Sequence, residues 1–288
     1  MSSEARDIPW LNVGGRGSAE HYWHFLFGYL APIALTLSDA KHTGPVRLHD
    51  CGPVMNAILS GFASTMGISD VQFDRALTID QGVDEFLAAG PPQISALRSA
   101  AAPRWDAWIK LSEEPGAVTG QLARAAEVLK TRLVPGACCS GAEAIGRYLI
   151  LRRSAEPEYY RRDGTATKPT YGTGRRAFLG LEEGSVALRD LGYDNLIYEP
   201  GAHSLGCQIA HFAQCVGVIG VRGAEFANTL WLPSGATVVL VHSSLFKDHD
   251  APQRTLSKVL GHPRLIEVPH EGVKSPVLNA QRVATAIA

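Results

Sequence analysis

No stretch of this sequence is both apolar enough and long enough to cross a bilayer as a helix. The most apolar segment, Trp23 to Leu37, is interrupted by Pro32 and falls short of the ~20 residues a crossing needs. Met1 to Pro9 is polar and lacks an apolar centre, which predicts no secretory leader. An excess of one charge is missing too. With 27 Lys and Arg against 28 Asp and Glu, the net charge is −1, so a surface uniformly basic for nucleic acid is not expected. The five cysteines, Cys51, Cys138, Cys139, Cys207 and Cys215, form no C-x-x-C pair and no metal-finger spacing. Their odd number, with two adjacent, suits a reducing compartment better than an oxidising one. These absences predict a cytoplasmic protein with no transmembrane segment and no nucleic-acid partner, and they leave open attachment to the inner face of a membrane. No internal repeat, Walker loop or G-x-S-x-G elbow is present, which argues against NTPase and hydrolase chemistry.

What is present is α/β rhythm. A chain of 288 residues allows one large or two small domains. From His21 the apolar residues Trp23, Leu26, Phe27, Leu30, Ile33, Ala34 and Leu37 recur at helical spacing. A strand over 45–49 ends at Asp50, Gly52 and Pro53 mark a turn, and a helix over 54–66 stops at Gly67. Helical residues over 118–133 end at Pro135-Gly136. The later half predicts strands over 148–151, 195–198, 216–221 and 236–242. Helices over 182–191, 205–214 and 224–230 separate them. Apolar strands alternating with helices imply a parallel sheet covered on both faces. The expectation is an α/β protein of two domains, residues 1–140 and 141–288.

Residues 216–228 carry the densest chemical signal. A buried strand runs into Gly220-Val221-Arg222-Gly223-Ala224-Glu225 and then a helix with Asn228. Ligands of open parallel sheets sit at the carboxyl ends of strands. Gly220 and Gly223 are expected to let the backbone turn and a ligand approach the peptide groups. The following helix N-terminus suits a phosphate, and Arg222 adds a fork of donors for the same anion. A strand-to-helix turn needs glycine for its own sake, so the spacing serves both readings.

The run Ser204-Leu205-x-x-Gln208-Ile209-x-x-Phe212-Ala213, followed by Gly220-x-Arg222-Gly223-Ala224-x-x-x-Asn228, resembles the C-terminal signature of glycosyltransferase family 61. That pattern reads roughly S-L-x-E-Q-I-x-x-F-x-x-A, then G-x-H-G-A-G-L-x-N, then a strand after a Pro-x-Gly turn, here Pro233-Ser234-Gly235. His21 to Leu26 is similar to the family's N-x-x-H-x-x-x-D helix, and Leu151-Arg152-Arg153 to its strand ending in arginine. The resemblance implies inverting transfer of a sugar from a nucleotide sugar on a GT-B scaffold of two facing Rossmann-like domains. It also departs from the pattern. Arg222 stands for histidine, Glu225 for the second glycine, Gly28 for the helix aspartate and His21 for the asparagine.

For the general base the resemblance points to His24, a residue type that titrates near neutrality. His21 shares its helix face, on the acceptor side. Asp50, at a strand end, is the second candidate base, and a turn aspartate beside Gly52-Pro53 is its other reading. Arg152, Arg153, Arg222 and the amides of Gly223 and Ala224 are the candidates to stabilise the departing diphosphate. Of Arg152 and Arg153, adjacent after a strand, one should point into the cleft and one away. Glu225 would face sugar or ribose hydroxyls. Asn228, Gln208 and Ser204 either bond the donor or tie the backbone down, with Ser204 also a plain N-cap. Arg161-Arg162 and Arg175-Arg176 either line an acceptor path or are solvated, and Trp105 and Trp108 either stack on a sugar or pack. Asp248-His249-Asp250 reads as a surface loop, so no metal is expected. No cofactor is expected beyond the nucleotide-sugar substrate, and the acceptor would be a glycan, a lipid-linked molecule or a small molecule. The same residues also fit a non-catalytic nucleotide-sugar or glycan binder, or a pyruvyl-type transferase on a similar scaffold.

Overall fold

The computed structural model describes residues 10–11, 21–74, 115–154, 177–243, 252–261, 264–270 and 275–288. They fall into two compact units, Met1–Pro135 and Gly136–Ala288. No helix among the described residues is long and apolar enough to cross a membrane.

In the first unit, strand β1 (Trp10–Leu11) and helix α1 (Tyr22–Phe25) come first. A π-helical turn, Leu26–Leu30, joins α1 to α2 (Ala31–Ala40) without a break. Pro32 explains the widened turn. It has no N–H to offer the Gly28 carbonyl, and its ring would crowd that oxygen in a regular ladder. The apolar positions expected from spacing are all buried, but so are Phe25, Tyr29 and Leu35 on the other sides. The helix is therefore enclosed and not amphipathic. Strand β2 (Val46–His49) leads through a turn into α3 (Pro53–Thr65), and β3 (Val71–Asp74) follows. Gly67 ends α3 in the left-handed region at φ 81°. Its N–H donates to the Ser64 carbonyl and that of Ile68 to the Ala63 carbonyl, which closes the helix as a Schellman motif. The strands form a parallel sheet, β1-β2-β3, with Val46 opposite Val71 and Trp10 opposite Arg47. Helix α4 (Pro115–Leu133) completes the unit.

The second unit contains β4 (Tyr148–Leu151), α5 (Leu181–Asp190), β5 (Asn195–Tyr198), α6 (Leu205–Phe212) and β6 (Gly217–Val221). A 3-10 helix, Ala224–Trp231, precedes β7 (Thr237–Ser243), α7 (Pro252–Leu260), β8 (Arg264–His270) and α8 (Ala280–Ile287). All five strands are parallel, in the order β5-β4-β6-β7-β8. Ile150, Ile219 and Val239 stand in register on one face and pack on Leu188 of α5 and Val283 and Ile287 of α8. Leu149, Val218 and Val238 line the other face and are buried as well. Both faces being covered accounts for the unbroken apolar strands in the sequence. The elements absent from the sequence reading are β1, β3, α7, β8 and α8.

Candidate functional site

The chain order of the large sheet defines where a ligand site would form. From β4 the chain steps outward to β5, then returns across β4 to build β6, β7 and β8 on the other side. The direction of winding reverses between β4 and β6. Connections leaving those two carboxyl ends diverge, and a crevice opens there in doubly wound sheets. β4 ends in Leu151 and is followed by Arg152 and Arg153; β6 ends in Val221 and is followed by Arg222, Gly223, Ala224 and Glu225. Six of the sequence candidates thus share one sheet edge.

The two arginines after β4 part company. Arg152 anchors its backbone N–H to the Tyr198 carbonyl at 2.8 Å and pairs its exposed guanidinium with Glu182 in the first turn of α5. Arg153 turns the other way, across the reversal point. Its Nε lies 3.7 Å from Glu225 Oε1, and the two side chains are 13% and 21% exposed. The Glu225 carboxylate therefore faces a guanidinium at the edge.

Arg222 donates its backbone N–H to the Val241 carbonyl at 3.0 Å, and its side chain is half-buried. Desolvation pulls its pKa below the ordinary arginine value, the Arg254 charge adds to that, and Glu267 opposes it. An arginine keeps its proton through such a shift. Arg254, on α7, forks onto Glu267 of β8, Nε to Oε1 and Nη2 to Oε2 at 2.6 Å. His242 Nε2 approaches the same carboxylate at 3.2 Å. Hydrogen bonding from Arg254 is the main reason the Glu267 carboxyl sits below its ordinary range, outweighing desolvation, with the Arg254 and His242 charges adding to it. Gln253 donates Nε2 to the Gly223 carbonyl at 3.2 Å, and its buried Oε1 has no hydrogen-bond partner among the described residues. Gln253, Arg254, His242 and Glu267 were not among the sequence candidates. His242 ends a strand that periodicity finds, but the other three lie on α7 and β8, elements the sequence reading does not assign.

The two glycines act differently from the expectation. Neither Gly220 nor Gly223 has a positive φ; Gly223 is extended at φ −163°. Gly220 lies within β6, where a Cβ would meet the Phe226 ring at 3.0 Å and Leu151 at 3.2 Å. Its small size lets the 3-10 helix close over the sheet. At Gly223 a Cβ would collide with the Glu225 carboxylate, a mobile group. The segment from Ala224 is a 3-10 helix, not the expected α-helix, so its N–H groups do not converge as an α-helix N-terminus would present them.

Ser204, Gln208 and Asn228 hold the backbone. Ser204 Oγ caps α6 by accepting from the Cys207 N–H at 3.3 Å. Asn228, fully buried, donates Nδ2 to Gln208 Oε1 at 3.0 Å and accepts from Trp231 Nε1 at 3.0 Å; Gln208 donates Nε2 to the His203 carbonyl. This network joins α6 to the 3-10 helix, which is the second of the two readings open from the sequence.

In the first unit His24 is half-buried on α1, its ring 5.1 Å from that of His21. Gly28 is buried inside the π-turn. Asp50, after β2, accepts from the Gly52 N–H at 2.9 Å and from Asn56 Nδ2 at 2.8 Å, while Asn56 Oδ1 accepts from the Cys51 N–H. These bonds make Asp50 the turn aspartate that shapes entry into α3, with Gly52 at φ 85°. Trp105, Trp108, Arg161, Arg162, Arg175, Arg176 and Asp248-His249-Asp250 lie outside the described residues. No protein-family model matches the chain, and no curated protein matches it.

Proposed function

We propose that the second unit holds the diphosphate of a nucleotide sugar at the β4–β6 edge. The chain would then be an inverting glycosyltransferase of GT-B type acting on a glycan, lipid-linked or small-molecule hydroxyl. The observation that carries the reading is the pairing of Arg153 with Glu225 where the winding of the sheet reverses, with Arg222 directly after β6 at the same edge. A diphosphate gains negative charge on its leaving oxygen as the sugar departs. Guanidinium groups partly withdrawn from water stabilise that charge more than solvated ones do. Arg153 shared between Glu225 and the diphosphate would leave the carboxylate free to accept from ribose or sugar hydroxyls. His24 is the assigned base. It takes the acceptor proton as the new bond to the anomeric carbon forms and the bond to the diphosphate breaks. Asp50 is the weaker choice, because its Oδ1 is already committed to the turn.

A second reading is a non-catalytic nucleotide-sugar binder, favoured by the buried glycine at position 28 where the family's helix has aspartate. One experiment separates them. Thermal unfolding is followed with a panel of UDP-, GDP-, CMP- and dTDP-sugars, then donor consumption is assayed with the sugar that binds. A ligand bound only by the folded protein raises the melting temperature. Wild type should be stabilised by one donor and Arg222→Ala should not. His24→Ala should keep binding and lose roughly 10²–10⁴-fold in rate. Equal stabilisation of Arg222→Ala by every donor sinks the site assignment, and binding without turnover in wild type selects the second reading.

A further inference from the structure

Three of the five cysteines, which form no motif in sequence, converge in space. Cys138, Cys139 and Cys207 place their sulfur atoms all within 4.8 Å of one another. Cys139 is disulfide-bonded to Cys207, 68 residues away, with a Cα–Cα separation of 5.5 Å. Cys138 Sγ lies 3.2 Å from Cys207 Sγ. A disulfide accounts for two sulfurs and gives no reason for a third beside them.

The surroundings hold this geometry from both sides. Cys207 sits in the first turn of α6, and the two adjacent cysteines precede a 3-10 turn, Ala142–Ala144. Between them the backbones touch. Gly141, at φ 72°, passes so close to α6 that a Cβ there would lie 2.4 Å from the Ala210 carbonyl oxygen. His211 Nδ1 donates to the Cys207 carbonyl at 2.8 Å and its Nε2 pairs with Glu143 at 2.7 Å, while Gln214 donates Nε2 to the Ser140 carbonyl. The three sulfurs are therefore positioned by packed, hydrogen-bonded elements.

We propose that, once the Cys139–Cys207 bond is reduced, Cys138, Cys139 and Cys207 bind one thiophilic d¹⁰ cation of the Zn²⁺ type through three thiolates. With metal–sulfur bonds of about 2.3 Å, tetrahedral ligand sulfurs stand roughly 3.8 Å apart, within the spread seen here. Soft sulfur ligands select Zn²⁺ and Cu⁺ over Mg²⁺ or Ca²⁺. Cys138 is exposed, so the fourth position faces solvent and takes water or an outside ligand. A dithiol reductant supplies two electrons and two protons to the Cys139–Cys207 bond and leaves as its own disulfide. The metal then displaces one proton from each of the three thiols. Oxidation of the pair and occupancy by metal exclude one another.

The test uses the full chain, reduced with a phosphine without oxygen, freed of reductant and titrated with Co²⁺. The expected result is one Co²⁺ per chain, with sulfur-to-metal charge-transfer absorption and tetrahedral visible bands that Zn²⁺ bleaches. Cys138→Ser, at an exposed position, should fold with the wild-type melting temperature and lose the charge-transfer band; Cys139→Ser should lose it too. A disulfide that resists the phosphine in the folded protein overturns the proposal. So does an absent cobalt spectrum in protein whose thiols have been counted as free, or a Cys138→Ser spectrum equal to wild type.

Discussion

Glu267 shows how a single side chain reports on the edge of the large sheet. Arg254 forks onto it, His242 meets it, and its carboxyl is held below the ordinary glutamate range. A carboxyl with a lowered folded-state pKa adds stability that is complete above its unfolded value. That stability drains away as pH falls through the folded value. Wild type should therefore lose stability on acidification from about 4.5 downward, in part through this group. Glu267→Gln never had that contribution, so denaturant midpoints measured down the acid range should fall less steeply for it. Equal slopes would show that the fork contributes nothing to folding. The arginines at the same edge were legible by type and by their place after a strand. That Arg152 serves α5 and Arg153 serves Glu225 was not, because partners 30 and 72 residues apart are chosen by the packing.

At the scale of elements, helix α3 and the turn that stops it carry two glycines with opposite meanings. Gly61 lies in mid-helix, exposed, with nothing within 4 Å of where a Cβ would stand, and Gly67 closes the helix at φ 81°, also with open space around it. With no steric obstacle at either, backbone conformation alone decides. Gly61→Ala should stabilise by about 0.5–1 kcal/mol, since alanine loses less entropy in a helix. Gly67→Ala should destabilise by roughly 1–2 kcal/mol, since its side chain is disfavoured in the left-handed region. Urea midpoints of the two variants should move in opposite directions from wild type, and a shift of the same sign would contradict the account. The Gly67 stop was legible. The π-turn was not, although its cause, Pro32, was visible as an interruption. Periodicity locates apolar positions, and seven of them tolerate the extra residue per turn without losing burial.

At the scale of the whole molecule, the second unit has a sheet and an apolar core composed of its own residues, from Ile150 to Ile287. Gly136–Ala288 expressed alone should therefore unfold as one cooperative transition with near-native circular dichroism. A chain that stays unfolded or melts without cooperativity would mean that this core is insufficient without the first unit.

Sequence alone determined the elements whose signals are local: β4 and β5 at their exact residues, most of the helices, the end of the long helix α4 just before Pro135-Gly136, and parallel α/β layering in the later half. These follow from side-chain period and from glycine and proline, which act over a few residues. Tertiary structure decided the strand order with its reversal between β4 and β6, the recruitment of Arg254 and Glu267 to Arg222, and the meeting of three cysteines. Each joins residues far apart in the chain, and which of them become neighbours is settled by how the layers stack, a property no window of sequence contains.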